Sequence, residues 1–253
     1  ARPATPSYKG RYVERVLDDE LTHALSDFAK KQHVTPFMLY SAAFHVLLAR
    51  YSGQSEVTLG YPFGNRIRRE DTDIVGLFVN TLLQRVDVSD DPVTSVFLTR
   101  VKREILLGTG HHRLQFDKLL DALDIERSAS YHPLFQAFIG YYGQQANGVK
   151  PVSVAVKPYI VDTGAARFDL ELFLRPQGGE TVMMLWAQDD LFRPETSSRM
   201  LAHLENILRG MLAAPEEKIS SLSLLSEQES GDLLMLARGR DKLPQGTTVL
   251  EQI

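Results

Sequence analysis

At 253 residues, with 43% hydrophobic and 24% charged side chains, the chain is long enough to bury a sizeable core and lies far from the composition of a disordered segment. A net charge of -4, with acids and bases interspersed, leaves no basic stripe for phosphates, so nucleic acid is not an expected partner. No cysteine is present, which removes disulfides and thiolate chemistry, and no apolar run nears the ~20 residues that span a bilayer, so a cytoplasmic protein without a membrane partner is expected.

The opening Ala1-Arg2-Pro3-Ala4-Thr5-Pro6-Ser7 is proline-rich and reads as a linker over residues 1–10, entered partway along a longer polypeptide. A strand-like stretch, Arg11 to Val16, precedes a helix from about Asp18 to Lys31, whose acids lie at its start and lysines at its end, as the helix dipole favours. Thr35 and Pro36 form an N-cap and first-turn proline, opening a helix to Tyr51 that is apolar nearly all round and should be sandwiched. A β-rich run at Glu56–Gly60 is followed by a polar loop, Gly64 to Asp73, and a β-favouring segment from Leu77 to Val88.

Pro92 sits at a plausible first turn of the next helix, through Val96, Val101 and Leu106; past Gly108-Thr109-Gly110 a short helix covers Phe116 to Leu123. Four strands are expected at Leu134–Tyr142, Val152–Tyr159, Arg167–Arg175 and Thr181–Gln188, with Gly178-Gly179 as a hairpin turn. A helix from Pro194 buries Met200, Leu201, Leu204, Leu208 and Met211 at helical spacing. Beyond Pro215 a capping box, Ser226 to Glu229, opens one more helix before a Gly/Lys/Pro/Thr-rich stretch from Gly239 to Thr248; residues 215–253 read as an interdomain linker. Periodicity thus yields a mixed-sheet α/β domain over residues 11–214, without repeats.

Few residues suggest chemistry on their own. His111-His112 could supply a base or metal ligands, and so support a free-standing acyltransferase, but neighbouring residues diverge in direction and no third ligand lies near. No catalytic residue and no metal site is assigned. No G-x-S-x-G elbow, P-loop or dinucleotide fingerprint occurs. Asn80 and Thr81 put polar side chains in an apolar stretch, where a buried amide must find partners. Arg66 belongs to a charged loop, and Asp169 suggests a structural ion pair with Arg167 or another arginine.

Successive segments carry a resemblance. Leu48-Ala-Arg-Tyr-Ser-Gly-Gln54, Val57-Thr-Leu-Gly60-Tyr-Pro-Phe-Gly-Asn-Arg66, Val75-Gly-Leu-Phe-Val-Asn-Thr-Leu82, His112-Arg-Leu-Gln-Phe-Asp-Lys-Leu119 and Arg127-Ser-Ala-Ser-Tyr-His-Pro-Leu-Phe-Gln136 are similar, in order, to segments of peptide synthetase condensation domains. Ala166-Arg-Phe-Asp-Leu170, Asp190-Leu-Phe192 and Leu222-Ser-Leu-Leu-Ser226 extend the likeness. The resemblance implies a chloramphenicol acetyltransferase-like half-domain, the C-terminal of two lobes, in which a mixed sheet packs with helices as an α/β sandwich. It implies that the catalytic H-H-x-x-x-D-G motif lies on the other lobe, because Phe116 and Lys118 break that pattern after His111-His112.

By the same resemblance the domain joins a donor acyl or peptidyl thioester to an acceptor aminoacyl thioester. Both would ride on phosphopantetheine arms of carrier proteins, with no cofactor bound directly, and this half alone would be inactive. Asn80, Thr81 and Tyr61 would line the substrate tunnel, Arg66 would brace its rim or meet a pantetheine phosphate, and Asp169 would be structural. The implied partners are the N-terminal lobe, donor and acceptor carrier proteins and an adjacent adenylation domain. The alternative is a non-catalytic module of the same fold that docks carrier proteins or a tailoring enzyme.

Overall fold

A computed structural model describes residues 2–125, 128–143 and 161–237. The strand expected at Val152–Tyr159 and the Gly239–Thr248 stretch lie outside the described residues.

Strand β1 (Gly10–Leu17) leads into α1 (Asp19–Lys31), where the Asp18 carboxylate accepts the Leu21 N–H at 2.8 Å and occupies one of the helix's orphan donors. Helix α2 (Pro36–Ser52) is capped by Thr35, whose hydroxyl accepts the Met38 N–H at 3.2 Å, and ends at Gly53 with φ +71°, a left-handed turn that glycine makes without strain. Strands β2 (Glu56–Phe63) and β3 (Asn80–Asp87) form an antiparallel pair around a long loop holding a 3-10 turn at Arg69–Asp73.

Next come α3 (Thr94–Gly110), α4 (Phe116–Leu123) and β4 (Ala137–Tyr141). The hairpin of β5 (Leu170–Gln177) and β6 (Glu180–Gln188) turns at Gly178-Gly179, where φ is +63° and +97°. Helix α5 (Pro194–Ala213), a 3-10 turn at Ile219–Ser221 and α6 (Glu227–Ala237) complete the described chain.

The six strands form one mixed sheet in the order β1-β6-β5-β4-β2-β3, with β5, β4 and β2 mutually parallel and the remaining pairings antiparallel. Alternate residues of each strand point to opposite faces. Leu59, Leu82, Ile139, Leu172 and Leu185 pack with α1, α2, α3 and α5 into one continuous core. Helix α2 lies innermost, with eleven residues buried, from Met38 to Ala49, as its all-round apolar sequence requires.

The structure shifts several boundaries. Only Asn80 onward of the Leu77–Val88 segment is strand, because Arg66 gathers the carbonyls of Ile74 (2.9 Å) and Gly76 (3.3 Å) and so turns the preceding residues out of the sheet. Helix α3 starts at Thr94 instead of Pro92: the Pro92 carbonyl accepts the Ile219 N–H, and the Thr94 and Ser95 N–H groups donate to Glu217 and Pro215. The segment after α5 therefore caps α3, and its Ile219 and Leu222 are buried, so residues 215–224 are packed on the domain. Residues 6–9 are also tied down, with the Ser7 N–H on Asp190, Tyr8 C=O accepting from Ala166 and Lys9 C=O from Asp189. Short polar or proline-rich sequence can thus serve as edge packing as well as linker.

Candidate functional site

The sheet has a second face, opposite the helices, and it is built of aromatic rings. Tyr12 on β1 stacks on Trp186 of β6 at 5.0 Å; Trp186 meets Phe173 of β5 edge-on at 5.5 Å, and Phe173 lies 6.0 Å from Phe138 of β4. Phe138 stacks on Phe168 at 5.2 Å, Phe168 contacts Phe135 at 4.8 Å, and Phe116 of α4 reaches Phe135 edge-on at 5.9 Å. Such offset and edge contacts add about 0.5–1.5 kcal/mol each beyond area burial.

Two glycines make room for the rings. A Cβ at Gly60 would stand 2.5 Å from the Phe135 ring, and one at Gly140 would stand 2.5 Å from Phe173. Sequence reasoning missed this ladder. Its signal is the alternation of Phe138 and Gly140 with Ala137 and Ile139, and of Phe173 with Leu172 and Leu174, aromatic or glycine on one parity and aliphatic on the other.

His132 is the one imidazole in this ladder, 4.1 Å from Phe135 and 5.2 Å from both Phe116 and Phe168. Burial lowers its pKa below the ordinary histidine value, with the backbone of Phe135 opposing in part, so it is neutral at physiological pH. Its Nδ1 is buried without a hydrogen-bond partner. No acid or nucleophile is hydrogen-bonded to it among the described residues.

The residues expected to line a tunnel do not come together. Asn80 and Thr81 are successive residues of β3 and point to opposite faces; Asn80 follows the parity of Phe63 and Leu82 toward the helices. The Asn80 amide donates to the carbonyls of His112 (2.9 Å) and Leu114 (2.8 Å), clamping the turn between α3 and α4. Tyr61 belongs to the core: it is 3% exposed, its ring lies 5.6 Å from Phe37, and its hydroxyl donates to the Ile105 carbonyl at 3.4 Å. Burial raises its pKa, with the Thr109 hydroxyl opposing, and the phenol keeps its proton.

Arg66 donates to the Asp71, Ile74 and Gly76 carbonyls and lies over the Phe78 ring at 4.1 Å, so its guanidinium is spent on holding its own loop. Of the two partners expected for Asp169, Arg167 or another arginine, the structure has the second, and Arg167 turns elsewhere. Asp169 is bridged by Arg2, which also reaches the Ser130 carbonyl at 3.3 Å. Arg167 pairs with Glu171 at 2.8 Å, and the same buried carboxylate accepts the N–H groups of Arg167 (2.6 Å) and Phe168 (3.3 Å). The reason is local: Glu171 has the backbone donors of the turn in reach, whereas Asp169 faces the N-terminal segment.

His111 caps α3 and is exposed, while His112 rests on Phe63 at 5.6 Å. The His112 Nδ1 contacts the Thr109 carbonyl at 2.8 Å; a carbonyl only accepts, so that nitrogen carries the proton. Neither histidine has an acidic partner that would orient it as a base among these contacts, and no cluster able to hold a metal ion occurs among the described residues. No helix among them is long and apolar enough to cross a membrane.

Around this loop and turn the surface is unusually apolar. Val75 is 100% and Leu77 91% exposed, and Ile67, Ile74, Val79, Leu106, Leu107, Leu114 and Leu123 are also exposed. Scattered apolar residues need no explanation, but Val75, Leu77 and Val79 follow one another along the loop that enters β3.

Comparison with known proteins supplies the family. The condensation domain model matches residues 1–234. The chain is 34% identical over 236 residues to a linear gramicidin synthase polypeptide of Brevibacillus parabrevis, covering 92% of this chain and 5% of that protein. It is 33% identical over 234 residues to chondramide synthase of Chondromyces crocatus, covering 92% of this chain and 6% of the relative. The fold is also similar to that of a four-domain nonribosomal peptide synthetase, with a TM-score of 0.82 over 91% of this chain and 19% of that one, at 24% identity. The condensation domain from the monacolin K polyketide synthase superposes with a TM-score of 0.77, covering 85% of this chain but 50% of that chain. With a mixed sheet, a helical layer and a family match that runs through nearly every described element, the chain belongs to the condensation domain family and has its chloramphenicol acetyltransferase-like fold.

Proposed function

We propose that the chain is the C-terminal lobe of a condensation domain in a nonribosomal peptide synthetase. It would supply one wall of the site where an acceptor aminoacyl thioester attacks a donor acyl or peptidyl thioester to form an amide. The observation that carries this reading is the family match along residues 1–234 in a chain that spans about half of a condensation domain of known structure.

Two thioesters held end to end on phosphopantetheine arms react as if intramolecular, which is worth up to about 7–11 kcal/mol of the barrier. A histidine that manages the amine proton would come from elsewhere in the polypeptide, since neither His111 nor His112 has an acidic partner that would orient it and no acid is hydrogen-bonded to His132 among the described residues. The exposed Val75, Leu77, Val79, Leu114 and Leu123 fit a surface covered by the N-terminal lobe. Donor and acceptor carrier proteins and an adenylation domain would complete the assembly. Asn80 and Arg66 would act by shaping the loop that faces that lobe, and Thr81, on the opposite parity, would be open toward the ladder side.

A second reading, a non-catalytic docking module, is favoured by the likeness to the X-domain from teicoplanin biosynthesis, which has been solved in complex with OxyB (TM-score 0.78 over 90% of this chain). The test is amide formation with loaded donor and acceptor carrier proteins. The chain alone should give no product, and co-expression with the N-terminal half should restore turnover. Turnover by the chain alone overturns the half-site reading; no turnover with a folded, bound N-terminal half favours the docking module.

A further inference from the structure

His203 lies on α5 with its side chain 6% exposed, and it is bonded on both nitrogens. Its Nδ1 stands 2.8 Å from the Tyr51 hydroxyl at the end of α2, and its Nε2 stands 3.3 Å from the Glu229 carboxylate in the first turn of α6. Three elements far apart in sequence therefore meet at one buried ring.

The proton positions follow from the partners. Glu229 is held below the usual carboxylate range, chiefly by the Ser226 N–H and also by the Ser226 hydroxyl and His203, so it is ionised and can only accept. Nε2 must then carry the proton. Burial raises the pKa of Tyr51, with Arg199 opposing, so the phenol keeps its hydrogen and has it to donate to an Nδ1 that is bare. The charged groups facing the ring are thus Glu229 from α6 and Arg199, one turn earlier on α5, by way of Tyr51. An imidazole with its hydrogen on Nε2 and a bare Nδ1 satisfies every contact in a one-way chain from Tyr51 to His203 to Glu229.

Helix α6 needs such a tie. It has eleven residues, none buried, and Gly231 in its second turn, and a helix that short is marginal in water without tertiary contacts. Upstream, the segment is fastened by the Leu224 carbonyl on the Asn206 amide at 2.8 Å. Among the described residues, the side-chain bond from the body to α6 past that point is Glu229 to His203.

We propose that the Tyr51–His203–Glu229 chain is a latch that fixes the direction of α6 and holds its exposed Leu233, Leu234, Met235 and Leu236 in one orientation on the domain. Release of the latch would free α6 to pivot about Ser226 without disturbing the core.

Hydrogen exchange read residue by residue tests this on the chain. Glu229→Ala should speed exchange of the α6 amides at least tenfold while those of α2 and β6 stay unchanged. Ser226→Ala, which removes the hydroxyl of the capping box and leaves the carboxylate on His203, should have a much smaller effect. Tyr51→Phe removes the donor to Nδ1 and should also loosen α6, although the Tyr51 hydroxyl bonds His203 and not the helix. Nitrogen NMR of the native chain should show His203 protonated at Nε2 and bare at Nδ1. Equal effects of Ser226→Ala and Glu229→Ala would assign the restraint to the cap alone; that result, an unmoved α6 in Tyr51→Phe, or an Nδ1–H tautomer, overturns the latch.

Discussion

Helices α2 and α4 are both rich in apolar residues, yet they occupy opposite conditions. In α2 eleven of seventeen residues are buried, and Leu39, Ala42, Ala43 and Phe44 are 0% exposed. Helix α4 presents Phe116, Leu119, Leu120 and Leu123 along one stripe at i, i+3, i+4 and i+7, and buries none of its residues. An apolar stripe states what a helix needs, and only the rest of the fold decides whether the need is met within one chain. For α2 the sheet and three helices meet it; for α4 the ladder ring Phe135 meets part, and Leu123 is left exposed.

The largest effect expected from this contrast is at Phe44. Phe44→Ala removes a fully buried ring from the most enclosed helix and should cost about 3–5 kcal/mol in urea unfolding. A loss under about 1 kcal/mol would mean that α2 is not the centre of the core.

The same enclosure makes the neighbouring residue acid-sensitive. His45 is 0% exposed, both ring nitrogens lack partners, and burial pushes its pKa down to about 3, with the nearby Gln84 opposing. The folded-state value lies below the ordinary value of 6.5, so the unfolded chain takes up the proton first. The contribution to stability is therefore full above pH ~6.5 and is lost as pH falls from there toward 3, by roughly 3 kcal/mol at pH 4. Unfolding free energies measured from pH 7 to pH 4 should show this slope in the native chain, and His45→Leu should flatten it.

Between the two helices in size of effect stands the aromatic face. Gly140→Ala would drive a methyl group to 2.5 Å from the Phe173 ring and should cost about 1–3 kcal/mol, whereas Gly64→Ala, with nothing within 4 Å, should fall within about 0.5 kcal/mol. Equal, small losses at both positions would show that the ladder is loose enough to yield and is not a packed second layer.

Much of this architecture is legible from side-chain periodicity. The cap at Thr35, the all-round apolar α2 and the Gly178-Gly179 hairpin follow from residue types with fixed local consequences. The candidate site is harder to read because its geometry is non-local. Asn80 finds its acceptors 32 and 34 residues away, and Asp169 finds Arg2 at a separation of 167. Strand parity alone, though, separates Asn80 from Thr81, and placing both on one tunnel wall neglects it. Motif likeness names the family without saying which side chain of a motif points inward, and Tyr61 and Arg66 turn out to serve the core and the loop.

The smallest effect sharpens the comparison most. Leu123 is 52% exposed at the end of α4, so Leu123→Ala in the chain alone should change stability by no more than about 0.5 kcal/mol. If the N-terminal lobe covers the end of the sheet, that same substitution should weaken association of the two halves by about 0.8–1.5 kcal/mol, the worth of about half a leucine side chain newly withdrawn from water. Titration of one labelled half with the other, native against variant, reads this as a roughly 4- to 12-fold rise in Kd. A variant that binds as tightly as the native chain would leave the stripe of α4 without its external partner, and the half-exposed leucine would then be one more surface residue of the kind that needs no explanation.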